Sequence, residues 1–211
     1  MCSIFSKTIS KLVLVAAAFI ASYFAYALYT GSHEPPIKTS DDAEQIKLKL
    51  YSAKAVEYCK QKNFNTSFCF LIDMGLHSGK KRFFVYDMQQ DSLITSGMVA
   101  HGSCNESFLS SPKFSNTPGS GCTSVGRYKV KGKYTGRFGI AYKLYGLDSS
   151  NSNAYKRNVV LHSYYMMPDN ETYPAACGNS LGCAMVSDNF IKTLAQKIDS
   201  SAKPILLWIF E

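Results

Sequence analysis

Phe68-Cys69-Phe70-Leu71-Ile72-Asp73 is where the apolar pattern of this 211-residue chain changes its period. A short, almost continuous apolar run bounded by turn-forming residues reads as a strand rather than a helix. Toward the C-terminus the same reading applies to Arg82–Met88, Leu93–His101, Gly126–Val130, Gly139–Leu147, Val159–Tyr164 and Pro204–Phe210. Gly79-Lys80 and Gln89-Gln90-Asp91 supply turns between the first of them. Residues 187–198 (SDNFIKTLAQKI) form an amphipathic helix capped by Ser187. Toward the N-terminus, Ser40-Asp41-Asp42-Ala43-Glu44 opens a helix over 41–62, with acids in its first turn. Ile46, Leu48, Leu50, Ala53, Val56 and Cys59 recur at roughly helical spacing and are expected to form its packing face. Many strands with two peripheral helices predict one β-rich α+β domain, without internal repeats or low-complexity tracts. Residues 102–126, rich in Ser, Gly, Asn and Pro, form a loop long enough to be a functional candidate.

The composition fits a folded chain: 46% hydrophobic, 18% charged, with Tyr and Phe abundant beside a single Trp. The length suffices for a real core without a metal or disulfide staple. Lys7 and Lys11 precede eighteen uncharged residues (12–29, LVLVAAAFIASYFAYALY), the pattern of a secretory signal or signal anchor. Ala25-Tyr26-Ala27 offers a small-x-small cleavage site, so both a cleaved signal and a retained membrane anchor stay open. The expected organisation is a signal peptide or anchor over 1–30 and a linker over 31–40. A helix packing on the domain follows over 41–66, and the domain itself spans 67–211. The net charge of +8 falls to +6 once Lys7 and Lys11 are removed. An exported domain with scattered lysines suits an anionic polymer or membrane surface better than nucleic acid, which is not an expected partner. Seven cysteines make an odd count, so export leaves at least one thiol unpaired or bridged between molecules.

The chemistry concentrates near the C-terminus, where seventeen residues separate His162 from Ser180-Leu181-Gly182-Cys183. A nucleophilic thiol needs a base to take its proton, and an imidazole held beside it forms a thiolate–imidazolium pair. Val159-Val160-Leu161-His162 supplies a strand end for the base, and Gly178 and Gly182 supply a tight turn for the cysteine. Gly182 also lets backbone N–H groups approach an oxyanion with no Cβ in the way. Taken singly, a strand histidine is ordinarily a satisfied core residue and a lone cysteine a small hydrophobe. A zinc site from His162, Cys177 and Cys183 lacks the close paired spacing of structural sites, so no metal or other cofactor is expected.

His-(seventeen residues)-Ser-x-Gly-Cys resembles the signature of the YkuD-like L,D-transpeptidases, which remodel bacterial peptidoglycan. The resemblance extends upstream through Ala100-His101-Gly102, Phe114-Ser115-Asn116-Thr117-Pro118-Gly119-Ser120 and Ser124-Val125-Gly126-Arg127-Tyr128. Tyr134-Thr135-Gly136, Tyr145-Gly146-Leu147, Asn153-Ala154 and Arg157 continue it, so it covers about 67–210. Within the family these residues are similar to the murein L,D-transpeptidase catalytic-domain branch. The resemblance implies a mixed β-sandwich with peripheral helices, Cys183 as nucleophile and His162 as base. It further implies that the Ser163 carbonyl orients the imidazole and that Ser180 and Gly182 shape the turn and oxyanion pocket. The implied reaction is attack by Cys183 on a peptidoglycan tetrapeptide stem, with D-Ala leaving and a thioester forming. A second stem's amine then makes a cross-link, or water makes the enzyme an L,D-carboxypeptidase. Reaction of Cys183 with a carbapenem is also implied, and the expected partners are peptidoglycan stems, with the domain itself a monomer.

The sequence departs from the family where Leu181 replaces His or Trp, Met185 replaces Arg, and Ala184 replaces the branch's frequent Pro. Phe138 stands where the branch often has His. These changes leave a non-catalytic peptidoglycan-binding relative as the main alternative. Asn116, Ser120, Arg157 and Tyr164 are candidate substrate-binding residues. Of the arginines, Arg127, Arg137 and Arg157 are each placed to clamp a stem carboxylate or to form a structural ion pair. His101 is expected to anchor a loop. Papain-like endopeptidases place Cys before His, and sortases need a later Arg, so neither order fits. Cys2 precedes the apolar segment, and Cys183 must stay reduced to act. Cys59–Cys69 and Cys104–Cys122 are the pairings nearest in sequence, which leaves Cys177 free, though spacing alone does not fix connectivity. An oxidised Cys177–Cys183 pair would silence the nucleophile.

Overall fold

The computed structural model describes residues 20–22, 26 and 40–211, so the expected signal or anchor over 1–30, the expected linker over 31–40 and Cys2 lie almost wholly outside the described residues. Two compact units divide the chain, Met1–Gln45 and Ile46–Glu211. In the first, residues 20–22, 26 and 40–45 are helical. Among the described residues no helix is long and apolar enough to cross a membrane.

The second unit is built on one mixed sheet of eight strands in the order β3-β2-β1-β8-β4-β5-β6-β7. The strands are β1 (Phe68–Asp73), β2 (Phe83–Asp87), β3 (Ser92–Gly97), β4 (Gly126–Gly136), β5 (Gly139–Gly146), β6 (Val160–Ser163), β7 (Ala184–Val186) and β8 (Ile205–Phe210). Two helices flank it, α1 (Ser40–Lys62) and α2 (Asp188–Asp199). Side chains alternate between sheet faces, and the core divides accordingly. Phe70, Ile72, Phe83, Val85, Leu207 and Ile209 face one apolar cluster, which Phe190, Ile191 and Leu194 of α2 close. Cys69, Leu71, Phe84, Tyr86, Leu206 and Phe210 face the other, closed by Leu48, Ala55 and Cys59 of α1. Each large apolar side chain so buried stabilises the fold by ~1.5–3 kcal/mol before the entropy of ordering is counted.

The predicted helix over 41–62 is therefore present, but its buried face is rotated from the expected one. Leu48, Ser52, Ala55 and Cys59 are buried, whereas Ile46 and Leu50 are 59% and 52% exposed. Tyrosines set this phase. Tyr51 stacks on Phe210 with ring centroids 3.5 Å apart, Tyr58 packs on Phe64, and the Arg127 guanidinium lies 4.4 Å over the Tyr58 ring. Lys47 adds an ion pair to the buried Asp73 at 2.8 Å.

The second helix begins as expected, with Ser187 accepting a hydrogen bond from the Phe190 N–H at 3.1 Å. Other differences shape the site. The strand expected over Leu93–His101 stops at Gly97, where the Phe190 ring occupies the space a Cβ would need. Residues 98–101 stay buried and leave the sheet, and Ala100 bridges Met185. The strand at Gly126–Val130 continues to Gly136. The three residues of β7 were too few to carry a periodic signal.

Only one of the two suggested bridges forms: Cys104 and Cys122 are disulfide-bonded, whereas Cys59, Cys69, Cys177 and Cys183 are free. Cys59 and Cys69 contribute to the core as small apolar side chains, and burial pushes the Cys59 thiol up to about 12.

Candidate active site

The site is assembled where β6 runs parallel to β7. Leu161 pairs with Ala184, His162 with Met185 and Ser163 with Val186. Leu161, Ala184 and Val186 face the core, so His162, Met185 and, one pleat earlier, Cys183 share the opposite face. His162 and Cys183 line the same cleft of about 230 Å³ with Tyr134, Arg137, Phe138 and Val160.

His162 is fixed in one tautomer. Its Nδ1 lies 2.8 Å from the Ser163 carbonyl oxygen, which can only accept, so Nδ1 carries the hydrogen and Nε2 keeps its lone pair. Burial lowers the imidazole below its ordinary value, and the Ser163 hydrogen bond opposes that in part. Burial likewise raises the Cys183 thiol, against smaller opposing effects of the Val160 amide and Arg157. Both shifts favour the neutral thiol and the neutral imidazole at rest, rather than the preformed ion pair expected from sequence.

The turn before Cys183 is held from below. Gly182 adopts φ +103°, and a Cβ there would stand 2.6 Å from the Cys122 carbonyl oxygen. Ser180 Oγ accepts from the Gly182 N–H at 3.1 Å and donates to the Cys183 carbonyl at 2.8 Å. The Gly182 N–H is thus occupied inside the turn at rest. The Ser180 N–H donates to the His101 carbonyl, and the Ser103 N–H donates to the Ser180 carbonyl, each at 2.8 Å.

His101 itself is fully buried. Its Nδ1 receives Arg82 Nη2 at 2.9 Å, and its Nε2–H donates to the Leu109 carbonyl at 2.9 Å. Burial first, and the Arg82 charge second, lower this imidazole to about 4, so it stays neutral. Loop anchoring is what this geometry provides.

The loop over 102–126 forms a scaffold for the turn. Asn116 is committed to residues 149–153, donating to the Ser149 carbonyl and Ser152 Oγ and accepting from the Asn153 N–H. Arg157 donates to the carbonyls of Ser115 and Cys122 and to Ser120 Oγ. Asn116, Ser120 and Arg157 therefore spend their hydrogen bonds within the scaffold and do not line the cleft that holds Cys183. Tyr164 packs edge-on against Phe138 at 5.2 Å and, like them, is not among the residues lining that cleft.

Of the remaining arginines, Arg127 is paired with Asp148 and covered by the rings of Tyr58 and Trp208. Arg137 differs from both: it lines the cleft, and its guanidinium carbon lies 5.5 Å from the ring centroid of its neighbour Phe138.

Met185 packs in an apolar cluster with Met98, Ala100, Met167 and Cys177, which explains how a residue unable to hydrogen-bond is accommodated there. Leu181 is 77% exposed. Sequence reasoning marked Phe138 only as a departure from the family and missed its contact with His162. Its ring stacks on His162 at 5.6 Å with 23° between planes, and the Gly136 and Gly139 flanking its turn were the available signal. Among the described residues no group of His, Cys, Asp and Glu is arranged to hold a metal ion.

Residues 42–208 match the family model for the L,D-transpeptidase catalytic domain, and the chain belongs to that family. Among solved structures it is similar to the helical cell shape determining protein Pgp2 from Campylobacter jejuni. That match has 13% identity and a TM-score of 0.45, covering 69% of this chain and 48% of the other. It is similar also to an L,D-transpeptidase from Mycobacterium smegmatis, with 12% identity, a TM-score of 0.41, and 69% and 59% of the two chains covered. For an L,D-transpeptidase from Mycobacterium tuberculosis H37Rv the identity is 14% and the TM-score 0.38, with 69% and 58% covered. The chain thus spans about half to three-fifths of the length of these structures. No curated protein matches it.

Proposed function

We propose that the domain is a cysteine-dependent L,D-transpeptidase that acts on peptidoglycan tetrapeptide stems through a thioacyl-enzyme on Cys183. The observation that carries this reading is the shared cleft of His162 and Cys183, with Nδ1–H committed to Ser163 and Nε2 left as the base. As the thiol approaches the substrate, Nε2 takes its proton and sulfur attacks the carbonyl between the stem's diamino acid and the terminal D-Ala. The tetrahedral intermediate collapses, the C–N bond breaks, and the imidazolium returns the proton to the departing amine. A second stem's amine then attacks the thioester, loses a proton to Nε2 and regenerates the thiol. With water as the acceptor the same cycle is an L,D-carboxypeptidase.

Peptidoglycan lies outside the cytosol, and the Cys104–Cys122 bridge is of the kind that persists in oxidising compartments, which supports an exported, cell-envelope location. Incubation with tetrapeptide muropeptides tests the reading. D-Ala release with a cross-linked product is expected; D-Ala release alone selects the carboxypeptidase, and neither product with Cys183 reduced overturns both. Leu181 and the buried Met185 favour the second reading, a peptidoglycan-binding relative without activity. That reading expects sacculus binding that survives Cys183→Ala and no mass adduct with a carbapenem; an adduct on Cys183 excludes it.

A further inference from the structure

The β4–β5 hairpin ends in a two-residue turn, Arg137-Phe138, between the paired Gly136 and Gly139. This tip is tied down beside the reacting groups, because Ser163 Oγ donates to the Phe138 carbonyl at 2.8 Å and the Phe138 ring stacks on His162. Arg137 therefore rides on a pinned support at the border of the cleft that holds Cys183. The cleft lining contains no Asp, Glu or Lys, so Arg137 is its permanently charged side chain. Arg127 is neutralised by Asp148, and Arg157 is spent on three acceptors of the scaffold loop. No ion pair of Arg137 exists among the described residues.

We propose that Arg137 receives the free C-terminal carboxylate of the donor stem, and so restricts the site to stems that end in an unblocked acid. The proposal rests on the transpeptidase reading for the identity of the ligand. In that reaction the leaving residue carries its carboxylate one residue beyond the attacked carbonyl, about 3.5 Å further along an extended chain. A planar guanidinium suits a carboxylate there, as it presents two parallel N–H donors. The same charge repels the protonated amine of an acceptor, so the hairpin tip marks the side from which D-Ala leaves. The acceptor then approaches from another side of Cys183.

The test compares two tetrapeptides on the full chain, one ending in the D-Ala carboxylate and one in its carboxamide. The carboxylate peptide is expected to acylate Cys183 with a kcat/KM higher by about tenfold or more. Arg137→Met collapses that ratio toward one, Arg137→Lys restores part of it, and the preference of the parent weakens as ionic strength rises. Arg137 is exposed, so the thermal midpoint of both variants stays with the parent. A ratio unchanged by Arg137→Met overturns the proposal, as does a parent without preference. If the parent turns over neither peptide, the transpeptidase reading fails, and calorimetric titration of both peptides into the Cys183→Ala chain decides Arg137 separately. Carboxylate-selective binding that Arg137→Met abolishes then supports the clamp; unselective binding or none overturns it.

Discussion

Ser163 holds Phe138 by its backbone: the buried hydroxyl donates 2.8 Å to the Phe138 carbonyl, while the Ser163 carbonyl accepts from the His162 ring. One residue thus fixes both the imidazole and the hairpin tip that stacks on it. Ser163→Ala keeps the backbone carbonyl but releases the tip. The expected loss of stability is ~1 kcal/mol. Carbapenem acylation of Cys183 is expected to slow by roughly tenfold, since that is the cost of loosening a supporting contact by a kcal or so. Mass spectrometry over time measures it, and an unchanged rate would show that the tip needs no pin.

Gly182→Ala is expected to be far more damaging. A methyl group cannot stand 2.6 Å from the Cys122 carbonyl, and φ +103° is strained for any side chain. A destabilisation of at least ~2 kcal/mol is expected, with loss of activity that stabilising additives do not restore. Urea unfolding beside an activity assay gives both numbers. An active variant of parental stability would mean that the turn relaxes freely.

His101 makes stability depend on pH. Its folded value of about 4 lies below the ordinary 6.5, so between these values the unfolded chain binds the extra proton. Full stability is therefore present above about pH 6.5 and declines as the pH falls toward 4, by roughly 3 kcal/mol if the whole shift is expressed. His162, lowered by burial, adds to the same window. Chemical denaturation across this range is expected to show a shallower slope for His101→Gln than for the parent. Equal slopes would remove His101 as the cause.

Cys183 is expected to behave as a sluggish free thiol. Burial holds it above its ordinary 9.0, so iodoacetamide alkylation should be slow at neutral pH and still rising past pH 9. On the proposed mechanism substrate acylation should differ, with Nε2 as the base within the complex: its acidic limb is expected below pH 6.5, where the lowered His162 takes up a proton. An alkylation rate already at its plateau near neutrality would instead indicate a preformed thiolate–imidazolium pair.

Much of this was legible because it depends on local pattern. Alternation places Phe70 and Ile72 against one core and Cys69 and Leu71 against the other, and Ser187 caps its helix through a bond three residues away. What was hidden depends on partners distant in sequence. The buried stripe of α1 follows Tyr51 and Tyr58, whose rings meet Phe210 and Phe64. The end of β3 follows Phe190, which lies 93 positions beyond Gly97. Nearness in sequence suggested Cys59–Cys69, yet both thiols have a better place as core filling. In the site, His162 and Cys183 were readable from the motif. The stacking of Phe138 on His162 was not, because it follows from the β5–β6 register that pairs Ala141 with His162.

The strand order carries a consequence for how the domain comes into being. β8 lies between β1 and β4, parallel to the first and antiparallel to the second, and joins β1–β3 to β4–β7. Until Ile205–Phe210 takes its place, the ladder has two separate pieces, β1–β3 and β4–β7. Completion thus waits for the last strand of the chain to pair, and a chain truncated before Ile205 would leave His162 and Cys183 on an unsupported half-sheet. Cys183 and its turn therefore share a common frame with the rest of the sheet only once this strand is in place.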